Sequence, residues 1–322
     1  MSAPSKTHLV LIPSYNPGSR VYATVRAALE SWSPVWVVID GSTDDSPARL
    51  AALCTEEPGL KILVLEKNRG KGAAVLAGLK QAAAAGYTHA LTMDSDGQHP
   101  AQGIEELMRI SQANPTAMVL GCPVFDASAP RLRVRGRKIS NWWANLETLW
   151  AGIGDSLYGF RVYPVAPLIA VMRRQPWMRR FDFDAEAVVR LSWRGVPPIN
   201  VDAPVRYFRA EEGGVSHFNY WRDNALLSWM HARLFFGFLL RLPVLLALSQ
   251  KLPPGAFVRG IRGSGVEWQL DGYAPSASSV LTSLGNAPQF KNVHFLSAMD
   301  HAQVGHQSYE SFAVAFRFIP AP

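Results

Sequence analysis

The apolar positions of the first hundred residues form short continuous runs, separated by stretches with helical spacing. HLVLIP at 8–13 is an apolar run closed by proline, the pattern of a buried strand, and residues 21–32 carry apolar positions at helical spacing. VWVVID at 35–40 predicts a second strand, ending on an acid. Residues 44–54 open with helix-capping chemistry and continue with alanines and leucines. KILVL at 61–65 predicts a third strand, followed by a Gly/Lys turn and an alanine-rich helix over 73–85. ALTMD at 90–94 is a fourth, again ending on aspartate. Strands alternating with helices imply a mostly parallel sheet, whose ligands bind at the carboxyl ends of the strands. Both acid-bearing turns lie at such ends.

The pattern then changes. RLRVRGRK at 131–138 packs five positive charges into eight residues, just before a Trp-rich stretch at 141–150. A helix is expected around 184–193, a strand over 201–208 and a glycine-bearing loop at 211–217. LFFGFLLRLPVLLAL at 234–248 is fifteen residues long and contains Arg241 and Pro243. A spanning helix needs ~20 apolar residues, so an interfacial segment is the first reading, with a buried core helix or a true span as alternatives. PPG at 253–255 breaks the chain, and 257–318 then reads strand, strand, helix, strand, strand. These signals divide the chain into a first domain at 1–232, an apolar interfacial segment at 233–250 and a small α+β domain at 251–322.

Composition narrows the partners. A chain of 322 residues has room for two domains, and 48% hydrophobic against 18% charged residues excludes wholesale disorder. The net charge of +7 favours anionic partners: nucleotides, lipid phosphates or a bilayer surface. Nucleic acid is not expected, since neither a helix-turn-helix nor an aromatic stacking motif is present. Cys54 and Cys122 have no paired spacing, which argues against a disulfide scaffold or a zinc site and fits a reducing compartment. The N-terminus enters the first strand without a basic region or cleavage site, so no signal peptide is expected.

The central chemical feature is Asp94-Ser-Asp96 at a strand end. Two carboxylates one residue apart can bind Mg²⁺ or Mn²⁺ together with diphosphate oxygens, because hard cations take oxygen ligands. A D-x-D also occurs as a plain solvated turn, so the flanking sequence decides. That sequence is MDSDGQHP at 93–100, with PSYN at 13–16, IDGSTDD at 39–45 and KNRGKG at 67–72 upstream. Together, over about residues 8–220, these resemble the family 2 glycosyltransferases of GT-A fold, near the branch acting on polyprenyl phosphates.

The resemblance implies an α/β fold of Rossmann-like, mostly parallel sheet type, with roles for individual residues. Pro13, Tyr15 and Asn16 would line the nucleotide pocket, and Asp40 would recognise the base or ribose. Gly70 and Gly72 would let the backbone approach the nucleotide, with Lys71 near its phosphates. Asp94 and Asp96 would position diphosphate and metal, and Gln98 would touch the sugar or the metal shell. DSLYGFR at 155–161 and FDFDAE at 181–186 resemble the family's acceptor-side and later acidic elements. They make Asp155, Asp184 and Glu186 the catalytic candidates, as base or metal-side contacts. A carboxylate base serves a hydroxyl acceptor; a phosphate acceptor is already ionised and needs none. Acceptor contacts are expected from Arg133, Arg135 and Arg137 of the basic run, and from Arg161, Arg209 and His217. His217 stands where the branch usually has lysine.

The stretch 251–318 resembles the small ferredoxin-like domain of inner-membrane platform proteins of type IV pilus and type II secretion assembly. The function implied is metal-assisted inverting transfer from a nucleoside diphosphate sugar to a lipid or lipid-phosphate acceptor. The place implied is the cytoplasmic face of the plasma membrane, peripherally bound to its anionic surface. Two alternatives stand beside it: a non-catalytic membrane-associated assembly protein on a transferase-like scaffold, and a nucleotidyltransferase, which would lack its N-terminal glycine-rich phosphate loop.

Overall fold

The apolar runs of the first hundred residues become a buried sheet. The computed structural model describes residues 4–125, 131–205, 220–264, 266–297, 300–304 and 307–319. The chain divides into two compact units, Met1–Val189 with Pro198–His231, and Arg190–Pro197 with Ala232–Pro322.

In the first unit, β1 (His8–Ser14) and β2 (Val35–Asp40) are buried at every position, as central strands must be. Between and after them come α1 (Arg20–Ser31), α2 (Ser46–Glu56), β3 (Leu60–Leu65), α3 (Lys71–Ala84) and β4 (His89–Thr92). Next follow α4 (Ile104–Ala113), β5 (Met118–Val124), α5 (Arg131–Glu147), β6 (Arg161–Pro164) and α6 (Val165–Arg174). Then come α7 (Phe183–Ser192) and β7 (Pro198–Pro204), and the chain passes from the first unit to the second within α8 (Tyr220–Lys251). The strands pair in the order β3-β2-β1-β4-β6-β5-β7. Pairing is parallel except around β6, which runs antiparallel to both β4 and β5.

That one reversed strand positions the site. Thr92 at the end of β4 pairs with Arg161 at the start of β6, so the 155–160 loop arrives beside Asp94. The carboxyl ends of β1, β2 and β4 deliver Ser14, Asp40 and Asp94 to the same edge of the sheet.

At the opposite end of β1 and β4, His8 and His89 stack with ring centroids 4.4 Å apart. Burial first, and then the neighbouring His89, pushes His8 down to about 4; burial also lowers His89. The unfolded chain therefore binds these protons before the folded one does. Stability is present above about 6.5 and drains as pH falls towards 4, at about 1.4 kcal/mol per pH unit for each proton. Urea melts between pH 7 and 4.5 should show this slope, and His8→Asn should flatten it. A slope unchanged in that variant would assign the acid sensitivity elsewhere.

The second unit is antiparallel. It contains β8 (Phe257–Ser264), β9 (Glu267–Ala274), α9 (Ala277–Gly285), β10 (Phe290–Phe295), β11 (His301–Val304) and β12 (Gln307–Phe318). The order is β10-β12-β9-β8, with β11 paired to β12. The β11–β12 hairpin adds a strand to the four that the pattern predicted. Val244, Ala247 and Leu248 of α8 pack in this core with Trp268, Leu270 and Phe290.

The apolar run at 234–248 differs from expectation. It is the interior of a 32-residue helix, with Pro243 inside it. By length and composition, α8 is long and apolar enough to cross a membrane. Arg241 fits into it because its charge is engaged within the second unit. Its guanidinium donates to the carbonyls of Ile261 at 2.9 Å and Trp193 at 3.1 Å, between the rings of Trp193 and Trp268.

Candidate active site

The loops after β1 and β2 are laced together by Asn16. Its Oδ1 accepts from the amides of Thr43 (2.7 Å) and Asp44 (3.3 Å), while its own amide donates to Ser42 Oγ at 3.0 Å. Asn16 holds φ at +42°, a conformation asparagine tolerates better than most residues. Pro13 is buried and Tyr15 half-buried on the same rim.

Asp40 was expected to read the base or ribose. The structure gives its carboxylate partners within the protein: it accepts from the amides of Arg69 at 2.9 and 3.1 Å and Gly70 at 2.7 Å, and it is 2% exposed. This holds the turn that opens α3. Gly70 sits at φ +95°, and a Cβ there would meet the carbonyl oxygen of Arg179 at 2.4 Å. At Gly72 a Cβ would meet the Met178 carbonyl at 2.5 Å. The close backbone approach these glycines permit is to the chain's own 178–179 segment. That segment also caps α3, since Ala73 N donates to Arg179 O at 3.2 Å.

Lys71, the first residue of α3, is the centre of the cluster. Its ammonium lies 2.7 Å from Asp94 Oδ1 and 2.7 Å from Asp184 Oδ2, with only 12% of its side chain exposed. Burial works against that charge, but Asp184 and Asp94 outweigh it and raise Lys71 above its ordinary range. Burial likewise opposes the Asp94 charge; Lys71 and then His99 overcome it and hold Asp94 at about 2. One ammonium cannot neutralise two carboxylates. The deeper one, Asp184, is raised by burial despite Lys71 and Arg161, and its Oδ1 is buried with no hydrogen-bond partner among the described residues. Gly159 is what admits this pair: a Cβ there would meet Lys71 Nζ at 2.6 Å.

Asp96 is half-buried and accepts from Gln98 N at 3.0 Å. Burial, and then the charge of Asp94, pushes it up to about 6. Gln98 itself is half-exposed beside it. Asp94 and Asp96 offer oxygen donors with an excess of negative charge, which suits Mg²⁺ or Mn²⁺. The orphaned oxygen of Asp184 adds to that excess. Among the described residues no group of three or more His, Cys, Asp or Glu could hold a metal alone. A cation here would therefore complete its shell with substrate oxygens and water, the usual arrangement for magnesium.

His99, to which the sequence gave no role, is built into the site. Asp94 N donates to its Nδ1 at 2.9 Å, so the proton sits on Nε2, 3.6 Å from Asp94 Oδ2. Burial pushes it down to about 4, which leaves a neutral ring packed edge-on against Tyr158. Its position five residues after Asp94 in DSDGQHP was the available signal.

The other expected catalytic and acceptor residues that the structure describes have partners or burial of their own. Asp155 is 2% exposed. Its Oδ1 accepts from Arg137 at 2.7 Å and from the amides of Leu157 (2.9 Å) and Tyr158 (2.6 Å), so it anchors its own loop. The expected acceptor contact Arg137 is thus committed to Asp155. Arg161 is fully buried: it donates to Asp184 O at 2.6 Å, Asp155 O at 3.0 Å and Tyr163 OH at 3.0 Å, tying β6 to α7. Glu186 is 0% exposed within α7. Arg135 is exposed on α5, and Arg133 lies in the same helix with its side chain outside the described set. Arg209 and His217 lie outside the described residues.

A family model described as glycosyl transferase family 2 matches residues 9–177, more than half of the chain. The chain belongs to that family. A second model, described as fimbrial assembly protein (PilN), matches residues 243–318. Polyprenol monophosphomannose synthase of Mycolicibacterium smegmatis is 28% identical over 175 residues, 50% of this chain and 62% of that protein. The chain therefore spans less than two thirds of that relative. A UDP-N-acetylglucosamine–dolichyl-phosphate N-acetylglucosaminyltransferase of Methanococcus voltae is 24% identical over 196 residues, 56% of this chain and 78% of that protein. Among solved structures, glucosyl-3-phosphoglycerate synthase of Mycobacterium tuberculosis, in complex with Mn²⁺, UDP-glucose and phosphoglyceric acid, aligns with a TM-score of 0.51 at 14% identity. That alignment covers 79% of this chain and 84% of that one, and it bears out the GT-A fold expected for family 2.

Proposed function

We propose that this chain transfers a sugar, with inversion, from a nucleoside diphosphate sugar to a membrane-associated lipid phosphate. The observation that carries the acceptor class is the pairing of the site's carboxylates. Asp94 and Asp184 share Lys71, Asp155 is paired with Arg137, and Glu186 is fully buried. Among the described residues no unpaired, exposed carboxylate stands beside Asp96 as a general base, so an acceptor that arrives ionised fits this chemistry better than a neutral alcohol. The names of the mannosyl and N-acetylglucosaminyl relatives, both referring to polyprenyl-type phosphates, support the same class.

In this reading Lys71 lies at the carboxyl edge of the sheet, where it orients the leaving diphosphate while holding Asp94 ionised. The Asn16 and Asp40 loops form the nucleotide side, Gln98 faces the sugar, and His99 fixes the direction of Asp94. Asp94 and Asp96 would hold a divalent cation, which when bound would supply charge neutralisation for the departing diphosphate. The test is a matrix of nucleotide sugars against a polyprenyl phosphate and the matching free alcohol. Product is expected with the phosphate alone; equal transfer to the alcohol would sink the acceptor class.

We place the enzyme on the cytoplasmic membrane face through the first unit. On α5, Arg135, Lys138, Ile139 and Trp142 share one face by their three- and four-residue spacing, and all are exposed, Ile139 by 61%. Trp221 and Trp229 at the start of α8 are exposed too. Basic and aromatic side chains together suit an anionic bilayer surface. Cosedimentation with anionic vesicles should fall several-fold in Arg135→Ser/Lys138→Ser and with added salt. Salt-insensitive binding that survives the double change would place the contact elsewhere. Arg137 is unsuitable for this test, because its loss breaks the Asp155 anchor.

A further inference from the structure

A chain of hydrogen bonds, buried at its α8 end and half-buried at Asn141, runs from α8 to the active site, and its direction follows from donor and acceptor chemistry. Asn141 Nδ2 donates to Gly154 O (3.2 Å) and Asp155 Oδ2 (3.3 Å), so Asn141 Oδ1 is the accepting end. It takes both Ser156 N at 2.8 Å and Ser156 Oγ at 2.7 Å. With its proton spent there, Ser156 can only accept from Ser140 Oγ at 3.0 Å. Ser140, having given its proton to Ser156, must in turn accept from His231 Nε2 at 3.0 Å. His231 Nδ1 lies 3.0 Å from Glu147 Oε1, and that contact needs a further proton. Ser140, His231 and Glu147 are all at least 92% buried, at 7%, 8% and 0% exposure.

The far end of this chain is the site. Asp155 pins the amides of Leu157 and Tyr158, and Thr92 Oγ1 donates to Gly159 O at 2.9 Å. Gly159 in turn packs against the Lys71–Asp94 pair. We propose that His231 is a positioning residue: through this directed relay it fixes the 154–161 loop against Lys71 and Asp94. The start of α8, which exposes Trp221 and Trp229, is thereby coupled to the reacting end of the sheet. A buried polar chain of this kind holds a unique geometry only while every member is satisfied.

The test uses the full chain with His231→Ala, Ser140→Ala and His231→Gln, the last keeping a donor towards Ser140. Amide exchange of Leu157 and Tyr158 should rise about tenfold in the two alanine variants and return most of the way in His231→Gln, with β2 amides unchanged. Ser140→Ala removes one oxygen only, so it keeps the test readable if His231→Ala does not fold. Exchange unchanged at Leu157 and Tyr158, or raised equally in β2, would overturn the proposal. The second readout rests on the proposed transfer: turnover should fall about tenfold while nucleotide affinity stays within about twofold. Absence of transfer in the unaltered protein would count against the proposed function, and the exchange result would still decide the relay.

Discussion

Lys71→Met is expected to destabilise the first unit by about 3–5 kcal/mol and to reduce transfer by at least about a hundredfold. The reason is the geometry around the ammonium. It sits 2.7 Å from both Asp94 and Asp184, whose side chains are 34% and 6% exposed. Removing it leaves two partly or wholly buried carboxylates facing each other without a cation. Asp184 already has one oxygen unpartnered, so no neighbouring donor is ready to take over. Urea unfolding should show the midpoint falling without a change in slope. A second variant, Lys71→Met/Asp184→Asn, removes the charge that the first one strands. It should recover a good part of the stability and little of the transfer, because an amide does not replace the ammonium at the diphosphate. If the single change leaves the midpoint where it was, the ion-pair cluster is not what holds α3 to α7.

Asp96→Ala is expected to weaken donor binding by at least about tenfold, and only in the presence of a divalent cation. A diphosphate approaching Asp94 and Asp96 meets like charge, and a shared cation turns repulsion into bridging. The carboxylate is raised to about 6 in the absence of a cation. Binding a cation must therefore displace a proton at lower pH, and affinity should decline as pH falls through 6. Calorimetry with a nucleoside diphosphate, with Mn²⁺ or with EDTA, reads both effects. Equal affinity with and without metal in the unaltered protein would end the cation's role and leave Lys71 as the counter-charge beside Asp94 among the described residues.

The parts of this fold that were legible in the sequence are those where local pattern and burial agree. β2 runs over Val35–Asp40 as the apolar run predicted, because a central strand shows its burial in every residue. β5 escaped, since MVLGCPV holds a glycine and a proline that hide it from periodicity; its pairing with β7 supplies the strand. The full length of α8 is hidden in the sequence because Arg241 looks like an interruption until its partners in the second unit are known, while Pro243 is simply accommodated inside the helix. For the site, the motifs bring Asp40 and Asp94 to one edge of the sheet, while the partners of each side chain appear only in three dimensions. Arg161 and Arg137 look like free cations in one dimension; in three, Arg161 donates to the main-chain carbonyls of Asp184 and Asp155, and Arg137 pairs with the Asp155 carboxylate. Long-range pairing of this kind leaves no local trace.

The second unit takes in Arg190–Pro197, the end of α7 and the turn after it, well before its first strand at Phe257, and its core includes Val244, Ala247 and Leu248 from a helix that begins at Tyr220. Such a unit is poorly suited to being exchanged between genes. A crossover at the proline-rich break near residue 253 would move the strands and leave behind three core side chains and the Trp193 platform that receives Arg241. Successful transplants should therefore carry the tail together with α8 from before Val244, and with compensating changes at 190–197. Among chimaeras built with breakpoints stepped from 232 to 256, soluble expression should drop once the join passes Val244.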